Sequence, residues 1–205
     1  MKLATVTGEA LRRHIPDLAR LRIAVFREYP YLYDGSEAYE ATYLATYTAS
    51  GQAMAVIAFD GEQVIGASTG IPLAAEDESF RAPFEALGIA PSSVFYCGES
   101  VLLPAWRGRG LYREFFARRE AWARALPGIT RIGFCAVQRP EAHPLRPADW
   151  EPLDAAWRHF GYAPDERLST TYAWKDIDQP ETTAHRMQFW MKQLDQPAPG
   201  GRRPT

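Results

Sequence analysis

The residues of this chain that are best suited to bind an anion lie in one short turn. The turn Arg107-Gly108-Arg109-Gly110 follows an apolar stretch and precedes an amphipathic segment. A glycine-containing turn at a helix start leaves several backbone N–H groups without intrahelical partners, beside the positive end of the helix dipole. The two arginines add planar guanidinium groups that match phosphate geometry. The turn therefore predicts a phosphate-binding site.

Two flanking elements must position this turn. Before it, Val101–Leu103 is apolar and stops at Pro104, which has no backbone N–H to donate to a sheet. After it, apolar residues recur at the spacing of one buried helical face, at Leu111, Tyr112, Phe115, Phe116, Trp122, Ala123 and Leu126. The sequence predicts a strand, a phosphate-binding turn and a helix in that order.

Other phosphate-binding turns fit less well. A P-loop needs Lys followed by Ser or Thr after its second glycine, and this turn has neither. The dinucleotide fingerprint needs a third glycine where this chain has Arg113. An arginine-rich surface loop without a ligand is the remaining alternative.

Two segments resemble the GCN5-related N-acetyltransferase (GNAT) superfamily. Arg107–Tyr112 is similar to its coenzyme A turn, Arg/Gln-x-x-Gly-x-Gly/Ala, except that Tyr112 stands where the family has Gly or Ala. Leu153–Tyr162 resembles the family's late helix, which closes on Gly-Phe or Gly-Tyr. The resemblance covers about Leu3 to Ile177 in outline. It implies an α/β (α+β) fold with a mixed central sheet, a splayed strand pair and helices on both faces.

The resemblance also implies how acetyl-coenzyme A (acetyl-CoA) would be held, with no metal. The pantetheine arm would meet main-chain groups of the strand before the turn, and the pyrophosphate would meet the turn itself. The residues implied are Val101, Leu102, Leu103, Arg107, Gly108, Arg109, Gly110, Leu111 and Tyr112.

Direct attack by a neutral amine on the thioester needs a general base and benefits from a general acid. Glu99 is the candidate base, on the expectation that apolar neighbours raise its pKa. A glutamate at the sheet surface, paired with a lysine or arginine, is the alternative. The family's usual acid, a tyrosine, is replaced by Trp157, so Tyr96, His143 or solvent would serve.

The acceptor is expected to bind at the tyrosine-rich segment after the first long helix. Tyr31, Tyr33 and Asp34 belong to it, and aromatic faces with carboxylates attract a cationic amine. Alternatively, these tyrosines pack a helix onto the sheet or form a homodimer surface. Arg139 is the candidate to hold an acceptor carboxylate.

Composition narrows the class of protein. The chain has 205 residues, 46% of them hydrophobic, and a formal net charge of −2. The length and the hydrophobic content indicate one globular domain at 1–195, followed by a polar tail at 196–205. The slightly negative net charge argues against bulk electrostatic binding of nucleic acid. Without an apolar leader or membrane span, the expected location is cytoplasmic. Cys135, flanked by apolar residues, is expected to be an inert core thiol rather than a nucleophile.

The remaining elements are predicted from periodicity and turn signals. Asp60-Gly61 joins two β-rich runs as a hairpin. Val94–Leu103 and Ile129–Val137 are predicted strands. Thr182–Leu194 is predicted to be a terminal helix, with Met187 and Trp190 on its apolar side.

The sequence thus predicts an N-acetyltransferase that moves the acetyl group of acetyl-CoA to a primary amine of a small molecule or a protein. A non-catalytic acetyl-CoA sensor or interaction module is the alternative. An RNA-binding protein is a third reading, disfavoured by the acidic net charge.

Overall fold

A computed structural model describes residues 1–195 of the chain, so the predicted tail at 196–205 lies outside the described residues. The strands are β1 (Lys2–Val6), β2 (Met54–Asp60), β3 (Gln63–Pro72), β4 (Val94–Tyr96), β5 (Ser100–Leu102), β6 (Arg131–Val137), β7 (Ala163–Lys175) and β8 (Thr182–Gln193). The helices are α1 (Gly8–Arg13), α2 (Ile15–Phe26), α3 (Glu37–Ala49), α4 (Glu78–Ala86), α5 (Leu111–Ala125) and α6 (Asp154–His159). Within residues 1–195, none of these helices is long and apolar enough to cross a bilayer.

The strands form one mixed sheet in the order β1-β2-β3-β4-β6-β8-β7, and β5 pairs with β3 beyond the end of β4. The β4–β6 pair is parallel, whereas the other pairs are antiparallel. The predicted hairpin is confirmed, since β2 and β3 meet at Asp60 and Gln63. Gly61 in its turn has a φ of 59°, a conformation that favours glycine.

Helices cover both faces of the sheet, as predicted. On the front face, α1 to α4 contribute Leu11, Leu18, Leu44 and Phe80 to one apolar core. On the back face, α5 and α6 contribute Phe115, Phe116 and Trp157 to a second core. The sheet therefore separates two packed layers, and a passage between them requires an opening in the sheet.

The predicted terminal helix is wrong, because Thr182–Gln193 is strand β8. It lies between β6 and β7 and pairs with both. Its odd positions, Met187 and Phe189, enter the front core, and Trp190 enters the back core. A strand buried on both faces carries apolar residues at both parities, so the sequence loses its two-residue alternation and imitates a helical stripe.

Candidate active site

The predicted strand Val94–Leu103 is interrupted by a β-bulge. Tyr96 pairs with Ile71 and Ser100 pairs with Ser68, so three residues at 97–99 face two residues of β3. One extra residue bends a strand and locally disrupts its pairing. The bulge therefore divides the strand into β4 and β5.

The bulge also changes which side chains face the front of the sheet. Before it, Tyr96 lies in the front core and Cys97 in the back core. After it, Val101 faces the front and Leu102 the back, and Glu99 contacts front helix α2. The extra residue thus turns the Glu99 carboxylate toward the front layer.

Beyond the bulge the sheet opens. The Cys97 N–H still donates to the Gly133 carbonyl of β6 at 2.8 Å, but β5 pairs with β3 alone. β5 consequently splays from β6 and presents one free backbone edge. The splayed strand pair expected from the resemblance is present at this point.

The free edge belongs to Ser100 and Leu102. The Leu103 N–H donates to the Ile65 carbonyl at 3.0 Å, and the Leu103 carbonyl accepts from the Trp106 N–H. Because backbone direction alternates along an antiparallel strand, Val101 is likewise turned toward β3. Val101 and Leu103 therefore offer no main-chain groups to a ligand, which corrects that part of the prediction. The free groups are those of Ser100 and the Leu102 N–H.

The turn before α5 exposes a series of unpaired amides. Within residues 1–195, the backbone N–H groups of five consecutive residues donate to no protein acceptor: Gly108, Arg109, Gly110, Leu111 and Tyr112. Gly108 and Gly110 have φ angles of 73° and 80°, which favour glycine. These amides stand at the N-terminus of a 15-residue helix, where the dipole favours an anion.

The two arginine side chains of the turn are partly used within the protein. Arg107 donates from Nε to the Leu102 carbonyl at 3.0 Å and forms an ion pair with Glu28 at 2.9 Å. Its N–H donates to the Pro104 carbonyl. Arg107 therefore holds the turn against β5, and its assignment as a phosphate ligand stays a prediction. Arg109 donates from Nη2 to the Ala105 carbonyl but remains exposed at the turn.

The two residues that depart from the family pattern contact each other. Nε1 of Trp157 donates to the Tyr112 hydroxyl at 3.0 Å. The Tyr112 ring packs against Phe116, and Trp157 packs against Phe134 of β6, next to the opening in the sheet. The Tyr112 ring is thus directed toward α6, while its amide remains part of the turn.

A pocket on the front face meets the bulge from the other side. It encloses about 540 Å³ of empty space, part of it open to solvent, and Gly98 of the bulge is one of its walls. A Cβ at Gly98 would lie 2.0 Å from the Tyr47 hydroxyl, so only glycine fits there. Six of the lining residues are tyrosines: Tyr31, Tyr33, Tyr39, Tyr43, Tyr96 and Tyr172. The pocket joins the predicted acceptor residues Tyr31 and Tyr33 to Tyr96.

Buried charges surround this pocket. Arg22 donates from Nε to Glu40 and from Nη1 to Glu99, and both carboxylates are nearly inaccessible. Burial opposes the charge on Arg22, but the neighbouring Glu99, Tyr43 and Glu40 raise its pKa well above the usual value. The guanidinium therefore stays protonated between two carboxylates. Burial also raises the pKa of Glu76, which accepts from the Tyr47 hydroxyl at 2.8 Å.

Glu99 is not in the apolar setting expected from the sequence, because its Oε2 is paired with Arg22. Its Oε1 is buried and has no partner among the described residues. The Tyr96 hydroxyl contacts Cys135 Sγ at 3.1 Å. Burial raises the pKa of Cys135 to about 12, so this thiol is protonated at neutral pH, as its apolar neighbours predict.

Two predicted acceptor residues serve the protein itself. Arg139 makes four hydrogen bonds, to the Pro30 and Tyr31 carbonyls and to both oxygens of Asp176. Arg139 is thus engaged within the protein, and its predicted contact with an acceptor carboxylate stays a prediction. Asp34 accepts from Lys175 at 3.0 Å, a contact that lowers its pKa, and it does not line the pocket. His143 likewise lies outside the pocket lining.

Sequence reasoning missed Arg22 and Glu40. Arg22 lies on the same side of α2 as Leu18 and Phe26, at helical spacing. A charged residue in an apolar stripe is the signal that could have identified it. Within residues 1–195, no group of His, Cys, Asp and Glu side chains could hold a metal ion.

Comparison of the sequence with family models and with curated proteins finds no match. Solved structures do match the fold. The ribosomal-protein-alanine N-acetyltransferase from Brucella melitensis has a TM-score of 0.60 at 14% identity, with 95% of this chain and 100% of that chain covered. Arabidopsis thaliana NAA60 in complex with acetyl-CoA has a TM-score of 0.59 at 12% identity, covering 94% and 99%.

An acetyltransferase of the GNAT family from Streptococcus pneumoniae has a TM-score of 0.57 at 12% identity, covering 95% of this chain and 100% of that chain. The match extends over nearly the whole length of all three proteins, while the identity stays low. At such identity the likeness concerns the fold, and it agrees with the interrupted strand and the open sheet edge described above. The chain therefore has the fold of the GCN5-related N-acetyltransferases.

Proposed function

We propose that this protein is an N-acetyltransferase that moves the acetyl group of acetyl-CoA to a primary amine of a small molecule or a protein. The observation that carries the proposal is the series of five free amides at Gly108–Tyr112, next to the free edge of β5. Such a turn suits a diphosphate, and such an edge suits the amides of a pantetheine arm.

The proposed binding mode follows from these groups. The amides at 108–112 hold the diphosphate, with the exposed guanidinium of Arg109 as an added cation. Ser100 and the Leu102 N–H bind the pantetheine amides along the open edge. This path leads the thioester to the bulge, where Gly98 borders the tyrosine-lined pocket.

The chemistry is a direct acyl transfer in a ternary complex. The neutral amine nitrogen attacks the thioester carbonyl carbon, the C–N bond forms, the C–S bond breaks, and coenzyme A leaves as the thiolate. We assign the amine proton to Glu99 Oε1. This oxygen and Glu40 Oε1 are both buried carboxylate oxygens without a partner among the described residues, and Glu99 is preferred because it follows Gly98, the bulge residue that lines the pocket. An N–H group at the bulge polarises the thioester carbonyl.

A covalent acetyl-enzyme is disfavoured. Cys135 lines the pocket, but a thiol with a pKa of about 12 carries almost no thiolate at neutral pH. Cys97 is buried on the back face, and burial raises its pKa to about 11. Direct transfer to the amine is therefore preferred over a double displacement.

The test uses a glycine of the turn and a matched glycine elsewhere. Gly110 and Gly88 have φ angles of 80° and 70°, and a Cβ would meet nothing within 4 Å at either position. Alanine at each position therefore costs a similar backbone strain, about 1 kcal/mol. We expect Gly110→Ala to weaken acetyl-CoA binding at least tenfold in calorimetry, and Gly88→Ala to leave it unchanged.

Thiol release is then followed with acetyl-CoA and a panel of amines. Release with at least one amine, together with the selective loss in Gly110→Ala, supports the proposal. Absence of acetyl-CoA binding, or equal binding by both variants, would overturn it. Binding without turnover on a broad panel would favour the sensor instead.

A further inference from the structure

The walls of the front pocket indicate the class of amine that it accepts. Besides the six tyrosines, Phe26, Phe80 and Trp174 line it. The Tyr31 ring lies 4.5 Å from Phe26, and Phe80 lies 5.1 Å from both Tyr96 and Tyr172. The pocket therefore offers aromatic faces, which bind flat apolar groups and organic cations.

The charges around the pocket determine whether it favours a positively or a negatively charged ligand. Arg22 is the charged residue in its lining, and its carboxylate partners Glu40 and Glu99 lie directly behind it. Two carboxylates around one guanidinium leave a net negative charge. A negative charge behind aromatic walls favours an ammonium group over a carboxylate.

The mouth of the pocket is closed on the side of β7. The hydroxyls of Tyr39 on α3 and Tyr172 on β7 are 2.7 Å apart and form a hydrogen bond across it. The segment between α2 and α3 is also joined to the end of β7 through its backbone. The Asp34 N–H donates to the Lys175 carbonyl at 2.8 Å, and the Ile177 N–H donates to the Leu32 carbonyl at 2.7 Å.

Arg139 strengthens the same closure, because it links the Pro30 and Tyr31 carbonyls to Asp176. A polypeptide acetylated at an internal lysine needs a groove that is open at both ends, and a polypeptide acetylated at its N-terminal amine needs one open end along which the chain can leave the pocket. This pocket has one wall made of hydrogen-bonded backbone. The pocket therefore suits a compact ligand whose amino group enters before the rest of the molecule.

We infer that the acceptor is a small primary amine that arrives as an ammonium ion on an aromatic body, and that polypeptides are excluded. The inference rests on the proposed acetyl transfer for the role of the ligand as acceptor. The location of the pocket at Gly98 places its bound amine next to the bulge, where the thioester is proposed to lie.

The experiment compares phenethylamine with four ligands, of which three differ from it mainly in one property and the fourth is a peptide. Phenethyl alcohol removes the charge, phenylalanine adds a carboxylate, n-butylamine removes the ring, and a trialanine peptide tests the closed mouth. Binding is measured by calorimetry in the presence of coenzyme A, and thiol release is measured with acetyl-CoA. We expect phenethylamine to bind at least tenfold more tightly than each of the others and to give the highest kcat/KM.

Two variants connect this preference to the pocket. Tyr33→Leu removes an aromatic wall, whereas Tyr33→Phe keeps the ring and loses a hydroxyl that is buried and without a partner among the described residues. We expect Tyr33→Leu to weaken phenethylamine binding about tenfold and Tyr33→Phe to weaken it less, with acetyl-CoA binding alike in the two variants. Tyr39→Ala removes the hydrogen bond across the mouth and should raise the activity on trialanine.

The outcomes separate the two proposals. Acetyl-CoA binding with a preference for trialanine, phenylalanine or n-butylamine would overturn the inference and leave the proposed acetyl transfer in place. A protein that binds no acetyl-CoA would remove the proposed function, and with it the role of this ligand as acceptor. Equal effects of Tyr33→Leu and Tyr33→Phe on phenethylamine binding would also overturn the inference.

Discussion

The guanidinium of Arg119 on α5 donates from Nη1 to the main-chain carbonyl of Glu99 at 3.2 Å. From the opposite face of the sheet, Arg22 on α2 donates to the side chain of the same residue. Both arginines are buried. The bulge is therefore held from the back through its backbone and from the front through its carboxylate, which fixes the edge of β5 relative to β6.

The first prediction concerns the back-face contact. Arg119→Met keeps an unbranched side chain in the core but removes the donor to the Glu99 carbonyl, which still accepts from the Ser68 hydroxyl and the Thr69 N–H. We expect the free energy of unfolding to change by less than about 1.5 kcal/mol, since such a replacement is often tolerated. The KM for acetyl-CoA should rise several-fold, because β5 loses one of its restraints.

Arg119→Lys is the control, as it retains a donor near the bulge. Steady-state kinetics and urea unfolding of the three proteins provide the measurement. A KM for acetyl-CoA that is equal in all three would show that Arg119 does not position the bulge.

The second prediction concerns the base. Glu99→Gln preserves volume and removes the carboxylate, and general-base catalysis is worth about 10²- to 10⁴-fold in rate. We expect kcat to fall at least about a hundredfold, with unchanged acetyl-CoA affinity. Stability should fall by about 3 kcal/mol, because Arg22 loses one of its two buried carboxylate partners.

Glu40→Gln is the matched comparison, since it removes the other carboxylate partner of Arg22. Glu40→Gln should lower the free energy of unfolding by a similar amount and leave kcat within a few-fold of that of the unsubstituted protein. Equal losses of kcat in the two variants would indicate that the pairing of Arg22, and not proton removal by Glu99, supports turnover.

The third prediction concerns pH. Burial lowers the pKa of His185 below its usual 6.5, against the attraction of Asp176 and with a further decrease from Arg139. The unfolded chain therefore takes up this proton at a higher pH than the folded chain. The free energy of unfolding therefore decreases as the pH falls below about 6.5. For one proton the decrease is at most roughly 1.4 kcal/mol per pH unit.

Urea unfolding of the unsubstituted protein and of His185→Gln between pH 7.5 and 5 checks this sign. The stability difference between the two proteins should shift in favour of the variant as the pH falls. A difference that stays constant with pH would contradict the lowered pKa. His185 stacks on Trp174 at 3.9 Å, so its protonation also bears on one wall of the pocket.

Local features of the fold were predictable from the sequence, and features set by distant partners were not. The turn at 107–110 and the hairpin at Asp60-Gly61 depend on glycine backbone preferences that act within a few residues. β8 depends on β6 and β7 as neighbours, and its burial on both faces conceals the strand pattern.

In the candidate site, too, local features were predictable from the sequence and features set by distant partners were not. The turn at 107–110 follows from one continuous segment, but the partner of Glu99 is Arg22, 77 positions away. The direction of the Glu99 side chain depends on one extra residue in the strand, which no periodicity reveals. The pairing of Arg139 with Asp176 was hidden for the same reason, since the two residues lie 37 positions apart.

The last prediction concerns the general acid, for which Trp157 replaces the tyrosine of the resembling family. Because the indole N–H donates to the Tyr112 hydroxyl, the proton of that hydroxyl has no acceptor among the described residues. Burial raises the pKa of Tyr112, so the phenol stays protonated at neutral pH, and Trp157 holds it beside the opening between β5 and β6. Tyr112 is therefore a candidate donor to the leaving thiolate, which the following comparison tests.

We expect Tyr112→Phe to lower kcat about tenfold or more with acetyl-CoA affinity within threefold, because the amide of residue 112 is retained. Tyr96→Phe is the comparison, since the Tyr96 hydroxyl contacts Cys135 and lies in the front pocket. Its kcat should change less than that of Tyr112→Phe. The measurement is the pH dependence of kcat for the three proteins. An alkaline decrease that disappears in Tyr96→Phe and persists in Tyr112→Phe would assign the proton to Tyr96 instead.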